Sequence, residues 1–152
     1  MRRRVVILTT LSAAALLAAG SAFAAGMADA VTSRQAQFKT LGASFKALND
    51  EIRKGDPDMK KIRASAAVVR KASLEIPRWF PRGSGAEAGV KTKVLPSAWS
   101  DAAGFAQASK DFAAEAAKLQ ALAAGDDADD LRAQAKTVAQ TCGTCHTKYR
   151  EK

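Results

Sequence analysis

Two thiols and an imidazole stand together near the carboxyl end, in the run Cys142-Gly143-Thr144-Cys145-His146. Cys-x-x-Cys-His is the attachment signal for a c-type haem. Two thiols three residues apart can each add to one vinyl group of a single porphyrin. The adjacent histidine then reaches the iron as an axial ligand. Three other chemistries use such cysteines. An exported protein can hold them as a disulfide. A thioredoxin-like redox pair wants a βαβ context, and nothing in this chain reads as strand. A structural zinc site needs about four ligands, whereas Cys142, Cys145 and His146 are the only cysteines and the only histidine present. One covalently attached haem c is the cofactor this pattern implies.

The elements that must position these groups are helical. Apolar content is carried by alanine and leucine, with few β-branched or aromatic residues, which favours helix over strand. The first helix is expected over residues 29–54. There Val31, Phe38, Phe45 and Ile52 recur every seven residues, with Leu41 and Leu48 in the second seam position. Gly55 stops it, and Asp56-Pro57 restarts the chain as N-cap and first helical residue. The second helix carries Met59, Ile62, Ala66, Val69, Ser73 and Ile76, and Pro77 ends it.

Residues 77–96 form the one long irregular stretch, a crossover between two helical hairpins. Trp79 and Phe80 are expected to tuck part of it onto the body. The third helix is expected over residues 97–124, with Phe105, Phe112 and Leu119 on one seam and Ala108 and Ala116 beside them. Asp126 or Asp127 caps the fourth, whose continuous face is Leu131, Ala135, Val138, Cys142, Cys145 and Tyr149. The cysteines therefore point inward. The fold class is all-α, an antiparallel up-down-up-down four-helix bundle with haem near its C-terminal end.

The amino terminus is a targeting segment. Arg2-Arg3-Arg4 form a basic region, residues 5–17 an apolar one, and Ala22-Phe23-Ala24 a small-x-small cleavage pattern. Residues 1–24 are thus expected to be a secretory signal and residues 25–152 the haem domain, located in the periplasm. The apolar run is shorter than the ~20 residues a spanning helix needs, so no membrane span is expected after cleavage. Removing the three arginines takes the formal charge from +9 to +6. Basic residues are scattered between acids along the helices, which argues against nucleic acid as a partner and for a solvated surface that steers acidic ones.

From residue 31 to the carboxyl end the chain resembles the cytochrome c′ family. The matching pieces are Arg34-Gln35-Ala36, Phe80-Pro81-Arg82-Gly83-Ser84, Pro96-Ser97-Ala98-Trp99, Gly125-Asp126, and Thr141-Cys142 through Arg150. The resemblance implies a periplasmic, often dimeric haem protein with a five-coordinate, high-spin iron that binds nitric oxide and carbon monoxide. It implies that Cys142 and Cys145 hold the porphyrin and that His146 is the proximal metal ligand. Arg34 and Gln35 match residues beside the haem, and Arg150 matches an arginine on the proximal side. Phe38 matches the position facing the open side of the iron, where the family more often has leucine or methionine.

Arg34 has support from the sequence as well. It occupies a seam position in step with Leu41 and Leu48, and a buried charge needs a partner such as a haem propionate. The alternative is an arginine snorkelling to solvent from a frayed first turn. Trp99 reads as a packing anchor and Tyr149 as a core-edge residue.

Two functions follow. The first is binding of small gases, with nitric oxide sequestration as the role. The second is electron transfer to a redox partner protein by a six-coordinate, low-spin cytochrome of the same fold. Catalysis is not expected, because the apolar Phe38, Leu41 and Phe45 face offers no acid or base. Met27, placed before the first helix, is the methionine whose flexible segment could reach the haem. The alanine and leucine of the first two helices offer a face for a homodimer.

Overall fold

A computed structural model describes the backbone of residues 11–152 and the side chains of residues 25–152. The expected signal segment, residues 1–24, lies outside the residues whose side chains are described. Helix α1 spans Leu11–Glu51, so it starts well before Asp29 and passes the expected cleavage point without a break. Alanine and leucine are strong helix formers, and nothing between Ala25 and Asp29 interrupts the ladder. Met27 consequently lies within α1 rather than on a flexible segment ahead of it.

The seam of α1 buries Val31, Leu41, Leu48 and Ile52, whereas Phe38 and Phe45 stay half-buried. Helix α1 ends at Glu51, three residues before the expected Lys54. Helix α2, Met59–Glu75, is capped by Asp58 and not by Asp56. The Asp58 carboxylate accepts the Lys61 amide at 3.1 Å, while Glu51 accepts the Asp58 amide at 3.4 Å. The buried Glu51 thus ties the end of α1 to the start of α2 and selects the second aspartate. Ile62, Ala66, Val69 and Ala72 form the buried stripe of α2.

The crossover is ordered by two short 3₁₀ turns, Ile76–Trp79 and Ala86–Ala88, and by left-handed turns at Gly83 (φ 88°) and Gly89 (φ 74°), where a side chain would be strained. Trp79 is buried, as its tucking role requires. The third helix is broken in two. Helix α3, Ser97–Ser100, gives way at Asp101 (φ −105°, ψ 58°) to α4, Ala102–Leu122. Asp101 causes the break by starting a new helix. Its Oδ1 accepts the Gly104 amide at 3.1 Å and its Oδ2 accepts the Tyr149 hydroxyl at 2.8 Å. Gly104 is needed for that pairing. A Cβ there would collide with the Asp101 carboxylate and sit 2.6 Å from the Tyr149 hydroxyl.

Helix α5, Ala128–Tyr149, is capped by Asp127, which accepts the amides of Asp129 and Asp130 at 2.9 and 3.0 Å. Its last turn is fastened to the crossover. Leu95 donates to the Tyr149 carbonyl at 2.9 Å, Glu151 to the Lys93 carbonyl at 2.8 Å, and the Ser97 hydroxyl to the Lys148 carbonyl at 2.7 Å. Val94 and Arg150 form an isolated antiparallel bridge.

Helix α1 packs on α2, α2 on α4, and α4 on α5, giving the antiparallel four-helix bundle with a kinked third member. At one end α1 and α5 meet, where the Arg132 guanidinium donates to the Ile52 carbonyl at 2.8 Å. Toward the other end they face each other across a cavity. Among the described residues no helix is long and apolar enough to cross a membrane.

Candidate functional site

The cavity has a volume of about 530 Å³, within the range of small-ligand and cofactor sites. Antiparallel packing brings the middle of α1, the end of α2, the start of α4 and the end of α5 to its walls. All seven residues singled out in the sequence reach it: Arg34, Gln35, Phe38, Cys142, Cys145, His146 and Arg150. Residues of α1 and α5 more than a hundred positions apart thus share one site.

The cysteines and the histidine lie on the last turns of α5, and both thiols are half-buried. Burial pushes both thiols above the ordinary cysteine range, with the neighbouring Cys145 adding to the effect on Cys142. They are therefore neutral thiols at neutral pH. Burial, reinforced by the cationic Arg150, lowers the pKa of His146. That favours the neutral imidazole, the form that ligates metal. The Tyr149 phenol, buried and donating to Asp101, is pushed up to about 12 and stays protonated.

Arg34 is buried, with 2% of its surface exposed, so it does not snorkel to solvent. It grips the crossover. One guanidinium nitrogen donates to the Trp79 carbonyl (3.3 Å) and the Ser84 hydroxyl (2.9 Å), the other to the Ser84 carbonyl (2.8 Å) and Thr92 Oγ1 (3.3 Å). The guanidinium also stacks over Phe80, 4.7 Å from the ring centroid. None of these partners carries charge. Burial pulls its pKa down, yet an arginine stays cationic. Gln35, one residue on, donates to the Lys91 carbonyl at 2.8 Å and pins the same loop.

Arg34→Leu is expected to destabilise the protein by about 3 kcal/mol, since several buried acceptors lose their donor. It should also lower the haem reduction potential, because a nearby positive charge favours the reduced state. Thermal unfolding and a redox titration check the two effects separately. An unchanged potential would show that the charge is not felt at the haem.

Sequence reasoning missed the crossover's share of the walls. Phe80, Thr92, Lys93 and Val94 line the cavity, as do Phe105 and Phe112 of α4. The signal for Phe80 was its place in a motif next to the buried Trp79; Thr92, Lys93 and Val94 carried none. Trp99 is the expected packing anchor, half-buried and donating through Nε1 to the Phe80 carbonyl at 3.1 Å.

The residues present fit a haem. Two thiols and an imidazole open onto one side, aromatic and aliphatic walls suit a flat apolar ring, and Arg34, Lys93 and Arg150 offer cations for propionates. Among the described residues no aspartate or glutamate lines the cavity to oppose those carboxylates.

A family model described as Cytochrome C′ matches residues 29–150. A cytochrome c′ of Rubrivivax gelatinosus is 30% identical over 124 residues, spanning 82% of this chain and 95% of that protein. Its crystal structure superposes with a TM-score of 0.75, covering 82% of this chain and 97% of that one. A cytochrome c-554 of Cereibacter sphaeroides is 38% identical over 81 residues, but the match covers 53% of this chain and only 60% of that protein. The nitric oxide complex of a variant cytochrome c prime from Alcaligenes xylosoxidans is 31% identical with a TM-score of 0.73, covering 82% of this chain and 95% of that one. A carbon-monoxide-bound variant of that protein matches equally well, at the same TM-score, identity and coverage. With a haem-attachment signal opening onto the cavity of a matching bundle, the chain belongs to the cytochrome c′ family, the covalent haem c proteins.

Proposed function

We propose that the protein is a periplasmic cytochrome whose haem iron is five-coordinate and high-spin and which binds nitric oxide and carbon monoxide. Cys142 and Cys145 would hold the porphyrin through thioethers, and His146 would supply the iron's protein nitrogen. Lys93 and Arg150 at the cavity, with the buried Arg34, attract the propionates. A bound haem would supply the gas-binding iron, and the protein's part would be to keep the cavity beside Phe38 apolar. The gas complexes of the Alcaligenes xylosoxidans protein support gas binding, and sequestering nitric oxide is the role we assign to it.

One observation carries this reading: among the described residues no methionine lines the cavity, and no histidine other than His146. Met27 sits in α1 eleven residues before Phe38, ~16 Å along the helix axis. Met59 packs at the opposite end of the bundle. These placements support the five-coordinate reading over the six-coordinate electron carrier, which needs a sixth ligand.

Two hydroxyls on the helical walls of the cavity are committed elsewhere. Ser109 donates to the Phe105 carbonyl at 2.9 Å and Thr141 to the Val138 carbonyl at 2.8 Å, which supports binding over catalysis. Export follows from the signal of residues 1–24. Val68 and Leu74 are exposed on α2, and pairing of two copies through the α1–α2 hairpin is the assembly we assign.

The visible absorption spectrum of the reduced protein tests the coordination state. A broad high-spin spectrum is expected. Sharp low-spin bands would transfer the assignment to electron transfer.

A further inference from the structure

Phe38 is backed by an aromatic ring on the side away from the cavity. Its ring is met edge-on by Trp79, with centroids 5.0 Å apart and planes at 86°. Phe80 meets it from the crossover as well, at 6.1 Å and 72°. Such T-shaped pairs are the favoured aromatic geometry. Phe80 itself lines the cavity, but Trp79 does not. Trp79 stands behind Phe38, is buried to 8% exposure, and belongs to the turn Ile76–Trp79. That turn is itself immobilised, because the Trp79 carbonyl accepts from Arg34 at 3.3 Å. Arg34 lies one helical turn before Phe38 on α1, so helix and crossover grip each other at two successive turns.

With Phe38 read as the residue over the open side of the iron, a ligand bound there must displace the Phe38 ring. In a packed interior a ring moves only into space its neighbours release. The residue that decides whether such space exists is the one behind the ring.

We propose that Trp79 is a positioning residue for gas binding: it braces Phe38 over the cavity and so sets how fast a small ligand reaches the iron. It touches neither ligand nor haem and acts through Phe38 alone. The inference rests on the reading of Phe38 as the residue over the open side of the iron.

The test is a double-mutant cycle in the haem-loaded protein, read by carbon monoxide association after flash photolysis and by thermal unfolding. Trp79→Leu keeps apolar volume behind Phe38 but removes the ring edge. It should speed association about three- to tenfold, the scale expected when one aromatic pair is lost. Trp79→Phe should stay near the parent rate. In a Phe38→Ala background, Trp79→Leu should change the rate no further while still lowering the unfolding temperature. That separates a rate effect carried through Phe38 from loosened packing.

The proposal is overturned if Phe38→Ala speeds binding but Trp79→Leu does not. It is equally overturned if Trp79→Leu adds its full factor in the Phe38→Ala background, since Trp79 would then act by another route. If Phe38→Ala itself leaves the rate unchanged, the distal role of Phe38 fails first and the brace has nothing to act on.

Discussion

Replacing both Cys142 and Cys145 with serine is expected to give a chain that retains no haem and shows no cooperative thermal transition. The reason lies between α1 and α5, which meet at the Ile52–Arg132 end and stand apart where the cavity opens. An unfilled space of about 530 Å³ costs on the order of 10 kcal/mol at ~24 cal/mol per Å³, as an upper figure for a cavity with an open mouth. Native domains have only about 5–15 kcal/mol in total. The bundle is therefore built around its cofactor, and without the thioethers only the His146 nitrogen would hold it. Haem staining after denaturing electrophoresis reads the attachment, and circular dichroism reads helix content and the melting transition. A haem-free double variant that kept the parent's helix content and melted cooperatively would show that α1 and α5 close on each other unaided.

Phe38→Ala should speed carbon monoxide association by roughly ten- to a hundredfold. The ring is half-buried on the cavity wall, in contact with Trp79 and Phe80. Forcing extra volume into such packing costs about 1–3 kcal/mol, and each 1.4 kcal/mol of barrier is worth a factor of ten. Truncation removes the ring from the path altogether. The accompanying loss of stability should fall below the 3–5 kcal/mol typical of a fully buried phenylalanine. Met27→Ala provides the contrast, since Met27 is in α1 and not on the cavity wall. Its spectrum and rate should match the parent. A low-spin parent spectrum that turned high-spin in the Met27 variant would identify a sixth ligand and end the gas-binding assignment.

The crossover, residues 77–96, was readable only as a loop. It has no heptad or alternating pattern, and its conformation is set by groups distant in sequence. Arg34 shows the difference within a single residue. Its seam position in α1 announced a buried charge, because spacing of seven is a local property of the helix. The partners that satisfy it here, the Trp79 and Ser84 carbonyls and the hydroxyls of Ser84 and Thr92, are 45 to 58 positions away. No pattern near Arg34 encodes them.

Helix boundaries divide in the same way. The Asp127 cap was within reach of local rules, as was the end of α2 before Pro77. Asp58 displaced Asp56 because Glu51 draws its amide back toward α1. The third helix broke at Asp101 because Tyr149, 48 positions on, donates to its carboxylate.

By itself, then, the sequence supplied the haem-attachment signal, two cysteines beside His146, together with the helical period that makes four amphipathic elements and places the cysteines on an inner face. These depend on residues within a turn or two of each other. Only the tertiary structure decided what encloses the site. It set α1 apart from α5, brought Phe80 and residues 92–94 onto the cavity wall, and placed Trp79 behind Phe38. Those arrangements rest on hydrogen bonds and ring contacts across the bundle, whose geometry exists only once the helices have packed.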